Sequence, residues 1–209
     1  MDRLRAAWTM LLPGAIGLFG DVVQHYSEAH RAYHNLTHLR HVLDTIERLS
    51  APQAGKRDVQ LAAWFHDIIY DPRARDNEER SAAFAAAALG PLGVSESTIR
   101  RVGDLILLTK THAADAGDHE AAVLLDADLA ILGAPAPDYL AYARAIRSEY
   151  AWVPEDAYRS GRGAVLEQFL QRPRLFHNPL LFAEREAAAR RNLQDEIAML
   201  KLGMPGAAD

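Results

Sequence analysis

The chain has 209 residues, 23 basic and 28 acidic side chains, a net charge of −5 and no cysteine. That length can bury a core without disulfides or a structural metal. The absence of cysteine excludes a disulfide scaffold, a thiolate nucleophile, an iron–sulfur cluster and a cysteine zinc site, and the acidic balance gives no overall pull toward nucleic acid or anionic membrane.

Taken in chain order, the elements read as helices. Ala6 to Phe19, behind Arg3 and Arg5, is apolar enough to suggest a leader, but Pro13-Gly14 interrupts it and no small-residue cleavage site follows. Two helical segments joined at Pro13-Gly14, the second running into a polar helix from Asp21 to Arg31, are expected instead, in a cytoplasmic protein. Leu39, Val42, Leu43, Ile46 and Leu49 recur at helical spacing before an Ala51-Pro52 break. Val59 to Ile69 is apolar nearly all round, so it is expected at the centre of the fold and to end at Asp71-Pro72. Asn77-Glu78-Glu79 opens an alanine-rich helix closed by Gly90-Pro91-Leu92-Gly93, and Ser95 caps another reaching about Thr109. Further helices are expected from Ala121 to Leu132, Tyr139 to Tyr150, Pro154 to Leu170 and Pro179 to Leu200, the last polar and solvated. The fold class is therefore all-α, a bundle of about nine or ten helices. Residues 1–202 are expected to form one domain, and residues 203–209 a frayed tail.

Five of the nine histidines lie between His25 and His41, so candidate chemistry starts there. On a helix, His34 and His38 in Tyr33-His34-Asn35-Leu36-Thr37-His38 would share a face. His66-Asp67 is embedded in the most apolar segment, where an imidazole and a carboxylate are costly unless they pair or hold a cation. A hydrogen-bonded core pair and a metal site both satisfy that requirement. Asp126 and Asp128 lie in the apolar run Leu124 to Leu132, and residues two apart on a helix point about 200° apart, so only one faces a common site. Imidazole and carboxylate ligands without sulfur suit Zn, Mn, Fe, Co, Ni or Mg.

The order His38, His66-Asp67, Asp128 resembles the HD superfamily of metal-dependent phosphohydrolases. The phrases Tyr33 to His38, Phe65 to Pro72, Asp76 to Ala82 and Leu125 to Gly133 are similar to those of a bacterial group of predicted HD phosphohydrolases. The resemblance implies an all-helical HD fold with His38, His66, Asp67 and Asp128 as ligands of one or two divalent ions. Asp128 is preferred to Asp126 because Ala127-Asp128-Leu129 resembles a stretch of the cyclic-nucleotide phosphodiesterases. The same likeness implies that His34 protonates the leaving oxygen and that Asn35 supports it. The chain departs from the family in having Ile68-Ile69-Tyr70-Asp71 where many members place a basic residue. Only His112 and His119 stand where binuclear members add histidines, and His119 is expected to be exposed.

On this reading a metal-activated water cleaves a phosphoester or phosphoanhydride of a small metabolite, a nucleotide being the expected class. His34 and Asp67 are the expected catalytic side chains, and Lys110, His112, Arg147, Tyr158 and Arg162 the expected substrate contacts. Trp64 is expected in the core. Glu78 is read as a helix-start residue or a supporting hydrogen-bond partner. The alternatives are a di-iron oxygenase and a non-catalytic nucleotide-binding module. A local nucleic-acid contact through Arg159, Arg162, Arg172 and Arg174 is a weaker option.

Overall fold

The computed structural model describes residues 1–49 and 56–203. Among them are ten α-helices, two short 3-10 turns and no strand, in agreement with an all-α fold. The residues fall into two compact units, Met1–Asp128 and Leu129–Asp209. The expected Ala51-Pro52 break, and the expected tail beyond Gly203, lie outside the described residues.

The first unit contains α1 (Asp2–Leu11), α2 (Ile16–His25), α3 (Leu36–Leu49), α4 (Lys56–Phe65), α5 (Asn77–Leu89), α6 (Glu96–Leu108) and most of α7 (His119–Leu129). Pro13-Gly14 separates α1 from α2, and Gly14 takes φ 82°, a left-handed conformation that glycine adopts without a Cβ clash. The apolar helix α4 is central, with Val59 and Leu61 to Phe65 all buried, and it packs on α1, α3, α5 and α6. Trp8 and Trp64 meet edge to face at 5.0 Å, with Phe19 and Phe65 beside them, and the Trp8 indole N–H donates to the Ala15 carbonyl at 2.9 Å. Trp64 is thus a core residue, as expected. Ser95 caps α6 by accepting from the Thr98 N–H at 3.2 Å.

Three local expectations change. The polar helix expected from Asp21 to Arg31 ends at His25, and residues 26–35 are irregular. His34 is therefore not one turn below His38 on a helix. Asn35 intervenes, its side-chain oxygen accepting from the Thr37 N–H at 2.8 Å while its carbonyl accepts from Leu39 at 3.0 Å, which starts α3. The apolar helix expected to run to Asp71-Pro72 stops at Phe65, so His66-Asp67 lies in the turn beyond it. The backbone released there finds other partners: Asp67 and Ile68 carbonyls accept from Arg31, and the Ile69 N–H donates to Ser81 Oγ.

The second unit contains the 3-10 turn Ala130–Gly133 and helices α8 (Ala136–Glu149), α9 (Glu155–Gln171) and α10 (Pro179–Leu202). Helix α10 is not simply solvated. Glu186 and Glu196 are buried: Glu186 accepts from the N–H groups of Leu175 and Phe176, and Glu196 from Arg162. No helix among the described residues is long and apolar enough to cross a membrane.

Candidate metal centre

Three segments of the first unit bring four polar side chains together. Helix α3 presents His38 from its first turn, the turn after α4 presents His66 and Asp67, and the last turn of α7 presents Asp128. Nε2 of His38 lies 3.2 Å from Nε2 of His66, 3.5 Å from Oδ2 of Asp67 and 3.2 Å from Oδ1 of Asp128. Nε2 of His66 lies 3.2 Å from Asp67 Oδ2 and 3.6 Å from Asp128 Oδ1. The imidazoles are 2 % and 1 % exposed and the carboxylates 20 % and 14 %, so the cluster opens on its carboxylate side. Asp126 is fully buried, and it is Asp128 that reaches the imidazoles.

The outward nitrogens define what the inward ones can do. Nδ1 of His66 is 2.8 Å from the Ala63 carbonyl, which only accepts, so Nδ1 carries the proton. Nδ1 of His38 is 3.1 Å from the Tyr33 hydroxyl, which accepts when Nδ1 is protonated. With both rings neutral, two Nε2 lone pairs then face each other at 3.2 Å, flanked by two carboxylates. That arrangement is repulsive unless protons or a cation lie between them.

Protons can fill this role. Burial opposes charge on His38, but hydrogen bonds to Asp128 and Asp67 outweigh it and raise its pKa. Burial likewise opposes charge on His66, and the Asp67 charge drives it well above the ordinary imidazole value. For Asp67, burial opposes ionisation, but the His66 charge and hydrogen bonds from both histidines hold it well below the usual carboxylate range. Asp128 is also held well below that range, against burial, by hydrogen bonds from His112, His38 and His66.

A cation suits the same donor set. Bonds of about 2.0–2.2 Å to nitrogen and oxygen give tetrahedral ligand–ligand edges about 1.6 times longer, about 3.3–3.6 Å. The five separations given above span 3.2–3.6 Å, and His38, His66 and Asp67 each place one ligand atom within 4.8 Å of the others, a group that does not include Asp128. The outward hydrogen bonds to Ala63 and Tyr33 are the kind that orient metal-bound histidines.

The remaining candidates have defined partners. His34 lies beside the cluster, its ring stacked on Tyr70 at 4.2 Å and edge-on to Tyr33 at 5.0 Å. Asn35, expected to support His34, is occupied in capping α3, with its amide donating to the Ala32 carbonyl at 2.9 Å. His112 follows α6 with φ 49°, uncommon for a residue with a side chain, and its Nε2 meets Asp128 Oδ2 at 2.9 Å. Asp128 therefore offers one oxygen to the histidine pair and the other to His112. Lys110 binds Glu79 and, at 2.8 Å, the Arg75 carbonyl, tying the end of α6 to the loop before α5. Glu78 lies in the first turn of α5, 3.9 Å from the Lys110 ammonium. His119 is exposed at the start of α7, as expected. In the second unit, Arg147 binds Glu155 and the carbonyls of Tyr150 and Val153, and lies over the Tyr158 ring at 4.6 Å. Arg162 is paired with both oxygens of Glu196, at 2.8 and 3.1 Å.

Sequence reasoning missed Arg31, Tyr33 and Tyr70 as parts of this centre. Tyr33 stood inside the quoted motif without a role, and Arg31 sits in a polar stretch with no pattern that marks it as buried. Comparison of the chain with known protein families, curated proteins and solved structures finds no match.

Proposed function

We propose that the first unit is a divalent-metal centre of the HD phosphohydrolase kind, acting on a phosphoester or phosphoanhydride of a small metabolite, with a nucleotide as the favoured class. The observation that carries this reading is the pair of inward imidazole nitrogens flanked by Asp67 and Asp128, all five measured separations falling between 3.2 and 3.6 Å. His38, His66, Asp67 and Asp128 would hold the ion. The chemistry such a cation supplies is polarisation of a phosphoryl oxygen and activation of a water nucleophile.

The chain's own groups supply the rest. Asp67 and Asp128 stay ionised at neutral pH, because both are held well below the usual carboxylate range. The partial exposure of their carboxylates gives substrate an approach that the buried imidazoles do not. His34, steadied by the Tyr70 ring, is the proton donor for the departing oxygen, a role that suits imidazole at neutral pH.

Metal analysis of purified protein should give about one or two divalent ions per chain. A phosphate-release screen over nucleotides, cyclic nucleotides, dinucleotides and sugar phosphates with Mn, Mg, Co and Ni should then find a substrate. His66→Ala and Asp67→Ala should each abolish turnover. Full activity in either variant, or no metal binding by the wild type, would refute the proposal.

A further inference from the structure

The Arg31 side chain is completely buried in the first unit, and its guanidinium bonds the backbone that carries His34 and the His66-Asp67 pair. Nε donates to Glu28 Oε2 at 2.9 Å. Nη1 donates to the carbonyls of His34, at 3.1 Å, and Asp67, at 2.6 Å. Nη2 donates to the Ile68 carbonyl at 2.9 Å. The rings of Tyr26 and Tyr70 lie 5.2 and 5.5 Å from its central carbon. Those two rings also bear on the site: the Tyr26 hydroxyl accepts from the Asp67 N–H at 3.3 Å, and Tyr70 stacks on His34.

Part of this is ordinary helix-end chemistry. Carbonyls just past the end of α4 need donors, and a cation is favoured there. That need does not account for the His34 carbonyl, which belongs to the irregular segment before α3. One terminal nitrogen joins the His34 and Asp67 carbonyls, and the other takes the next carbonyl along. Only a planar fork with donors in fixed directions can do this, and an ammonium cannot reproduce it.

We propose that Arg31 is a positioning residue that sets the separation of His34 from the His66-Asp67 ligand pair. The inference rests on the metal-centre reading above. Arg31 touches neither ligand side chain in this arrangement. It acts through the backbone that carries them.

The test uses the full chain with Arg31→Lys, Arg31→Gln and, for comparison, Leu89→Ala, a core truncation on α5, which carries none of the candidate ligands. Cobalt(II) is titrated well below each variant's melting temperature, and turnover is measured on the substrate found for the wild type. Arg31→Lys keeps the charge and loses the fork. It should weaken cobalt binding about 10- to 100-fold, the usual cost of disturbing groups that orient ligands. It should also lower kcat more than it changes KM. That loss in kcat should largely vanish when Arg31→Lys is placed in a His34→Ala background, because the two act as a unit. Arg31→Gln carries no charge to strand and keeps the inference testable if the lysine variant does not fold; it should weaken cobalt binding in the same direction. Leu89→Ala should lower the melting temperature and leave cobalt affinity within about twofold. Cobalt affinity and kcat near wild type in a folded Arg31 variant would overturn the inference while leaving the metal centre standing. No cobalt binding by the wild type would remove the metal centre and this inference together.

Discussion

The Tyr33 hydroxyl offers the cleanest perturbation of the centre. Tyr33→Phe removes one oxygen, 3.1 Å from His38 Nδ1, and retains a ring whose centroid lies 4.8 Å from that of His38 and 5.0 Å from that of His34. The packing is thus held nearly constant while the hydrogen bond is lost. Without metal the cost is that of one hydrogen bond, about 0.5–1.5 kcal/mol if His38 is neutral and about 1.5–3 kcal/mol if it carries a proton on both nitrogens. Metal binding is affected as well. With Nδ1–H unsatisfied, the tautomer protonated at Nε2 becomes competitive, and that tautomer cannot bind a metal through Nε2, the nitrogen that faces the cluster. Equal mixing of two tautomers accounts for about a twofold loss, and the remainder of the 10- to 100-fold range, about 1.4–2.7 kcal/mol in total, comes from orientation and basicity. His66 has no such vulnerability, because its Nδ1 partner is the main-chain carbonyl of Ala63. Cobalt titration against a competing chelator at pH 7.5, with melting curves of the metal-free protein, measures both effects. An unchanged dissociation constant with reduced metal-free stability would confine the hydroxyl to packing. Tighter binding would mean that the hydroxyl donates to Nδ1 in the wild type and holds the proton on Nε2, and would refute the tautomer assigned to His38.

Three further outcomes follow from the same geometry. In a chelator, stability should decline as pH rises above about 6.5. His38 and His66 have folded pKa values above their unfolded ones, so their contribution is complete below the unfolded value and is lost on passing through the folded ones. Asp67 and Asp128 act in the opposite sense: their contribution is present above about pH 4 and disappears as pH falls toward their lowered pKa values. Saturating metal should flatten the alkaline decline, and denaturant titrations showing the same slope with and without metal would contradict this. In the second unit, Arg162→Met leaves the buried Glu196 carboxylate without its cation, with the Tyr139 hydroxyl still donating to it, and should cost about 3–5 kcal/mol in urea unfolding, whereas Arg162→Met with Glu196→Gln should recover part of it; a loss below about 1 kcal/mol would show that the pair is not desolvated. Gly133→Ala should cost about 1–3 kcal/mol, because a Cβ there would lie 2.5 Å from Arg185 Cβ and 2.8 Å from the Arg185 carbonyl oxygen. A melting temperature equal to wild type would show that this approach is slack.

The sequence by itself determined the all-helical class, the central place of the apolar segment that becomes α4, the Ser95 cap and the Pro13-Gly14 break. Each follows from spacing or from the conformational limits of one residue, both local properties. It also marked His66-Asp67 and the Asp126 and Asp128 pair, because charged or imidazole groups in apolar runs demand partners, and His34 and His38 by their spacing; the set His38, His66, Asp67 and Asp128 is what the resemblance to the HD superfamily implies. Tertiary structure decided which partners they meet. The true end of α4 depends on donors and acceptors supplied from elsewhere, Arg31 and Ser81, so periodicity ran past it. Whether Asp126 or Asp128 faces the imidazoles depends on the rotation of α7 about its axis, which helical spacing leaves open. Arg31 was illegible for the same reason. Its neighbours in sequence are polar, and only long-range packing encloses its guanidinium between the carbonyls of His34, Asp67 and Ile68, which turns a surface-type residue into the buried joint of the centre.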